Sequence, residues 1–408
     1  MRDRSTELLE KKRFPLDKLR YLFPFFDPEV GNWAMEARSL RWLTFLWLFV
    51  GLVMLFSASY PIADAEFGDG AYYFKRQLLW IFVGLLGFNF LVRWPIRYAL
   101  GIAKWFVWLL LALIMTTLIP GLGTTVNGAT RWVSVASLPL QPSELIKPFL
   151  VLQSAIVFGQ WKQLDNRKRG LWLGTFALLL GSILLQPNLS TAALCGITLW
   201  LIALAAGVPL LYMGGTALGG FMLAVGSISI QDYQRRRVTS FLNPWADPMG
   251  DGYQLIQSLL AVGSGGTWGS GFGLSQQKLF YLPIQYTDFI FSVYAEEFGF
   301  AGSIVLLLLL MAYASFAVIV AIKCREPVRK LVAIGVMVLL VGQALINIGV
   351  ATGALPTTGL PLPLFSYGGS SVIASLLLAG LLVRVARESN EAEVISLQSH
   401  RKKGRKKL

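Results

Sequence analysis

Asp288 lies in the stretch YLPIQYTDFIFSVYAEEFGF, with apolar and aromatic residues around its carboxylate and Glu296 and Glu297 bordering the far end. Burial disfavours the charged form of a carboxyl group and a nearby cation favours it, so a general base can be tuned in such a setting. Upstream, Lys278 is a single cation in a mostly apolar, glycine-rich stretch, and a charge of that kind has few ordinary partners there. A plainer account of the same residues is a helix N-cap, with Thr287 or Asp288 capping the run that begins at Phe289. Arg235, Arg236 and Arg237 directly follow an apolar run. They suit lipid-phosphate anchoring at a membrane interface or binding of the diphosphate of a lipid-linked substrate. Glu144 and Lys147 in QPSELIKPF are three apart and share one helix face. Inside a bilayer they read as a structural ion pair or as part of a transport path.

Other chemistries are nearly excluded. His400 is the one histidine, and Cys195 and Cys324 are far apart with no C-x-x-C spacing, which leaves no histidine base, Cys/His pair or zinc cluster. The glycine-rich stretch AVGSGGTWGSGFGLS (261–275) lacks the G-K-[ST] of a phosphate loop. Glycine there lets the backbone turn or approach a lipid closely. Ser275 to Lys278 matches S-x-x-K, the transpeptidase nucleophile motif, but the companion S-D-N and K-T-G motifs are absent and the match reads as chance.

The elements that must position these groups are membrane helices. Of 408 residues, 55% are hydrophobic and 14% charged, well under the quarter typical of soluble domains. Apolar runs long enough to span predict ten helices, near 42–59, 78–94, 98–119, 143–160, 170–186, 190–206, 209–229, 296–322, 329–352 and 368–386. The fold class expected is an all-α polytopic membrane protein. Most of the 36 Lys and Arg then fall on the side of both termini, which puts residues 1–41 and the basic tail 387–408 in the cytoplasm. The polar start does not follow the order of a signal peptide. The segment from 231 to 295, between the seventh and eighth spans, becomes the large extracytoplasmic loop. It carries Arg236, Arg237, Lys278 and Asp288.

Several motifs occur in the order of a known family: NGATRWV (127–133), QPSELIK (141–147), RRVTSFLNPWADP (236–248), GYQLIQS (252–258), GLSQQK (273–278), TDFIF (287–291), AEEFG (295–299) and LPTTGLPLPLFSYGGSS (355–371). With these the sequence resembles the SEDS family of membrane peptidoglycan polymerases, over nearly all ten spans, and its motifs are closer to the division branch than to the elongation branch. Two departures stand out. Where the family usually reads L-P-E-x-H-T-D this chain has LPIQYTD, with Ile284 for an acid and Tyr286 for a histidine. Where it usually reads Q-P-D the chain has Gln186-Pro187-Asn188.

The resemblance implies glycosyl transfer, with lipid II as monomer and undecaprenyl diphosphate as leaving group. It maps the family's catalytic acid onto Asp288, which favours the base over the cap. Lys278, Arg236, Arg237 and Arg131, in that order, are the candidate cations for the diphosphate, joined by Gln277 and Ser275. Glu144, Lys147 and Trp132 are assigned to shaping the cavity. No cofactor is evident; a divalent cation would suit the diphosphate, but no metal site is recognisable. The resemblance also implies a class B penicillin-binding protein and other division proteins as partners, no nucleic acid, and a place in the bacterial plasma membrane, at the septum. A lipid flippase or transporter, and a division scaffold without activity, remain the competing classes.

Overall fold

The computed structural model describes residues 30–31, 33–119, 123–126, 129–135 and 138–405. Within them the chain forms α1 (Met35–Phe67), α2 (Tyr72–Arg93) and α3 (Ile96–Thr117), then β1 (Thr124–Val126), β2 (Ala129–Val135) and β3 (Leu138–Leu140). There follow α4 (Pro142–Gly159), α5 (Asn166–Leu185), α6 (Leu189–Ala205), α7 (Leu210–Ile230), α8 (Asp232–Leu242), α9 (Tyr253–Ser264), α10 (Ile290–Lys323), α11 (Pro327–Ala351) and α12 (Gly369–Arg405).

A helix lies at each of the ten expected positions, and eight of them are long and apolar enough to cross a membrane. The other two are α6, at 17 residues, and α4, whose apolar face is interrupted by Glu144, Lys147 and Gln153. The expected count of ten spans is therefore not reached by length and apolarity. Buried α11 and α12 form the centre, since 67% and 83% of their most apolar windows are covered by protein, against 6% for α7. A central helix must be apolar all round, whereas α7 exposes its apolar side chains as a lipid-facing helix does.

Several boundaries differ from those expected. The first helix starts at Met35 rather than 42, and α12 runs on to Arg405 rather than ending at 386. Residues 1–29 of the expected N-terminal segment, and 406–408 of the tail, lie outside the described residues. The connection from 231 to 295 carries two helices, α8 and α9, packed against their neighbours, while 265–289 is turns and irregular chain.

The all-α expectation also needs one correction. Between α3 and α4 the chain forms a three-stranded antiparallel sheet in the order β1-β2-β3, pairing Val126 with Ala129 and Val135 with Leu138. Residues 129–135 read ATRWVSV, whose β-branched and aromatic residues fit a pleated surface. The strands are too short to stand out beside runs of some twenty apolar residues.

Candidate functional site

The glycine-rich stretch serves a backbone rather than a lipid. At Gly299 the chain leaves helical geometry, with φ 64° and ψ −164°, and interrupts α10. The hydrogen bonds lost there are replaced from the loop: Phe300 N donates to Gly266 O at 2.9 Å and Ala301 N to Thr267 O at 2.9 Å. In return Ser270 N donates to Glu296 O at 2.9 Å and Gly271 N to Glu297 O at 3.0 Å. The two chains run so close that a Cβ on Gly299 would lie 2.3 Å from Gly269 N, which is why both positions need glycine.

This break brings Glu296 and Glu297 into the interior beside GLSQQK. Lys278 Nζ donates to Glu297 Oε1 at 2.7 Å and to Ser57 Oγ at 2.8 Å, while Ser57 Oγ donates to the same Glu297 oxygen at 2.6 Å. Both charged side chains are almost fully buried. Glu296 accepts the Ser275 hydroxyl, and also Gln276 N at 2.9 Å and Gln277 N at 3.3 Å. Lys278, Ser275 and Gln277, expected beside the diphosphate, thus lie together around Glu296 and Glu297. The Lys278 ammonium and the Ser275 hydroxyl serve a buried ionic knot. Gln277 contributes its backbone N–H alone, its side-chain Oε1 being buried without a partner among the described residues. The ammonium placed first among the diphosphate cations is matched by a carboxylate. The partner lies nineteen residues away across a helix break, which spacing alone does not reveal.

Arg236 lies apart from that group. It is exposed on α8, its nearest charge is Asp251 at 4.0 Å, and it is absent from the wall of the adjoining cleft. Arg235, one residue earlier, pairs with Asp232 on the surface.

Arg237 and Arg131 are placed differently. Both line a cleft of about 210 Å³ between the start of α6, the C-terminal end of α7, α8 and the segment Pro356–Thr358. Arg237 bonds Thr357 O at 3.2 Å and the Tyr233 hydroxyl, and its guanidinium lies 4.5 Å from the centre of the Tyr233 ring. Arg131 reaches over from β2 to Gln186 O at 3.0 Å and Pro187 O at 2.5 Å. Trp132, next along β2, lies on the opposite face of the strand by alternation. Asn127 and Gly128 of the same motif lie outside the described residues.

Asp288 stands beside these two arginines, just outside the start of α10. A Cβ on Gly359, whose φ is +73°, would lie 3.4 Å from Asp288 Oδ2 and 3.8 Å from both Nη atoms of Arg237. Carboxylate and guanidinium thus face one point, where glycine leaves room. Among the described residues neither arginine is in direct ion-pair contact with Asp288. The carboxyl is half-buried, and burial pushes its pKa above the usual carboxylate value, while Arg237 and then Arg131 pull it back. Arg131 is itself pushed below its ordinary value by burial, against the favourable charge of Asp288.

The backbone leading to Asp288 is fastened to the segment after α11. Tyr367 N donates to Tyr286 O at 2.9 Å, and Ser366 Oγ donates to Thr287 O at 2.6 Å. Thr287 and Asp288 make no side-chain cap for α10, whose N-cap residue is Phe289. Below the cleft, Lys147 Nζ pairs with Glu144 at 2.6 Å and bonds Gln343 Oε1 at 3.0 Å, all in the buried interior. Tyr233, Thr357 and Gly359 were not singled out in the sequence. Tyr233 is one helical turn before Arg237, a spacing that would have suggested it. Thr357 and Gly359 belong to a motif that was noted without any residue being drawn from it. Among the described residues no group of three or more His, Cys, Asp or Glu is placed to hold a metal ion.

Comparison with known proteins follows the same lines. A family model described as the FtsW/RodA/SpoVE cell cycle proteins matches residues 37–391. The chain belongs to this family. It is 60% identical over 379 residues to the probable peptidoglycan glycosyltransferase FtsW of Synechocystis, covering 93% of this chain and 96% of that one. Among solved structures, it is similar to a chain of a peptidoglycan synthase complex described as coordinating polymerization and crosslinking, with TM-score 0.70, 30% identity, and coverage of 86% and 97%. The rod shape determining protein RodA of Thermus thermophilus is also similar, with TM-score 0.64, 29% identity, and coverage of 86% and 96%. The family read from the motifs is thereby shown, and with it a polytopic membrane fold.

Proposed function

We propose that this protein is a peptidoglycan glycosyltransferase of the FtsW type, polymerising lipid II with Asp288 as general base. The observation that carries the reading is the point beside Gly359 faced by both the Asp288 carboxylate and the Arg237 guanidinium. Asp288 accepts the proton of the acceptor sugar's 4-hydroxyl. That oxygen bonds to the donor's anomeric carbon from the face opposite the leaving group, and the bond from that carbon to the diphosphate oxygen breaks. The product is a β-1,4 link with inversion, and the electron pair leaves on undecaprenyl diphosphate. Arg237 and Arg131, fixed before the substrate arrives, meet the charge that gathers on the departing diphosphate.

The excess of Lys and Arg on the side of both termini supports a cytoplasmic location for the N- and C-termini and an outward-facing cleft. The protein belongs, on this reading, to the plasma membrane at the division septum. A class B penicillin-binding protein would crosslink the strands it makes.

The test is purified protein in detergent micelles with lipid II, with and without the transpeptidase partner. Micelles have no second compartment, so a flippase or a scaffold yields no polymer there. Polymer from wild type and none from folded Asp288→Asn is expected; full synthesis by Asp288→Asn would remove Asp288 from the chemistry.

A further inference from the structure

Three successive carbonyls, those of Tyr286, Thr287 and Asp288, are each held by a donor from elsewhere in the chain. The first two are taken by Tyr367 N and Ser366 Oγ. The third is taken by Asn347, whose Nδ2 donates to Asp288 O at 2.7 Å and also to Leu360 O at 2.8 Å. Asn347 is 1% exposed near the C-terminal end of α11. One turn earlier on the same helix, Gln343 Nε2 donates to Pro361 O at 2.7 Å and its Oε1 accepts from Lys147. A π turn at Val338–Gly342 immediately precedes both amides, and such a turn shifts the face that a helix presents.

Asn347 is thus a tie between two pieces of chain that carry opposite partners. One is Asp288. The other is the 357–360 stretch, which carries the Thr357 carbonyl bonded to Arg237 and the glycine between base and guanidinium. Both amide hydrogens of Asn347 are used in that tie, and among the described residues its Oδ1 has no partner. A polar group kept in an apolar helix with one atom unsatisfied carries a cost that calls for a reason. With the peptide plane before Asp288 held by Ser366 Oγ and the plane after it held by Asn347, the direction of its Cα–Cβ bond is set, leaving two side-chain torsions to place the carboxylate.

We infer that Asn347 is a positioning residue, whose side-chain amide sets the separation of the Asp288 carboxylate from the Arg237 guanidinium. The inference rests on Asp288 being the base. A merely structural amide would affect stability alone. A positioning amide changes the rate of the chemical step, leaves lipid II binding in place, and alters how strongly Arg237 holds down the Asp288 pKa.

Asn347→Gln keeps the amide on a longer arm, and Asn347→Ser shortens it to a hydroxyl. Initial rates of lipid II consumption, normalised to folded protein, are measured against lipid II concentration and pH, with Asp288→Asn alongside. A displacement near 1 Å costs on the order of 100-fold in rate, so kcat should fall at least about 10-fold in both variants with KM within about 2-fold. The acid limb of the pH profile should move. If kcat per folded molecule and the acid limb match wild type in either variant while Asp288→Asn is inactive, the inference is overturned and the base stands. If Asp288→Asn is fully active, the base reading itself is overturned.

Discussion

Two groups of opposite charge are held by the connection between α7 and α10, and they are built in contrary ways. At Lys278 the ammonium touches Glu297 at 2.7 Å, shares Ser57, and is sealed from solvent. At Asp288 the carboxylate faces Arg237 and Arg131 without direct ion-pair contact, and both arginines line a cleft. A closed pair has its attraction satisfied within itself and holds chain together. An open set, anchored through backbone carbonyls at Thr357, Gln186 and Pro187, keeps its field for something that enters.

The largest effect should come from the open set. Asp288→Asn removes the proton acceptor with little change in shape and should lower polymerisation by about 100-fold to 10,000-fold, with an unchanged thermal midpoint in detergent. At the closed pair the loss should be of fold. Lys278→Ala leaves Glu297 buried without its cation, an error of about 3–5 kcal/mol, to be seen as a lowered thermal midpoint. Lys278→Met combined with Glu297→Gln should recover most of it. A single Lys278→Ala protein that is stable but no longer binds lipid II would erase the distinction between the two groups.

Arg237→Gln sharpens the comparison through pH. The active form of Asp288 is the carboxylate, and burial already raises its pKa, so activity falls on acidification at a higher pH than for an ordinary carboxylate. Arg237 opposes that rise. Removing its charge raises the pKa further and should move the acid limb to higher pH, with a roughly 10-fold weaker response to substrate. The smallest effect belongs to Arg236→Gln. Exposed and 4.0 Å from Asp251, it should change activity by less than about 2-fold, since exposed ion pairs contribute little.

Why the surroundings of Asp288 could be read from the sequence and those of Lys278 could not follows from what each depends on. Asp288 stood out because a lone carboxylate among aromatic residues is unusual in any arrangement, and its family motif is local. The fate of Lys278 depends on Glu297 and Ser57, residues 19 and 221 positions away in sequence, and composition cannot say which distant groups will meet. The spans were legible because length and apolarity are properties of continuous runs. Even so, α6 and α4 fall short of those measures, since helices covered by protein are free to be short or to carry charge. Strands β1 to β3 have no run long enough to announce them. Arg131 was named from its motif, but its reach to Pro187 exists only because β2 crosses to the start of α6.

The break at Gly299 bears on how the chain is made. Its replacement hydrogen bonds come from Gly266, Thr267, Ser270 and Gly271, all of which leave the ribosome before Gly299 does. Synthesis runs from the N-terminus at about 5–20 residues per second, so the filling segment precedes the gap by seconds. When α10 begins to enter the membrane, the peptide groups that its interruption will expose already have their partners waiting. Along the chain, the loop that supplies the partners thus precedes the interruption that it fills.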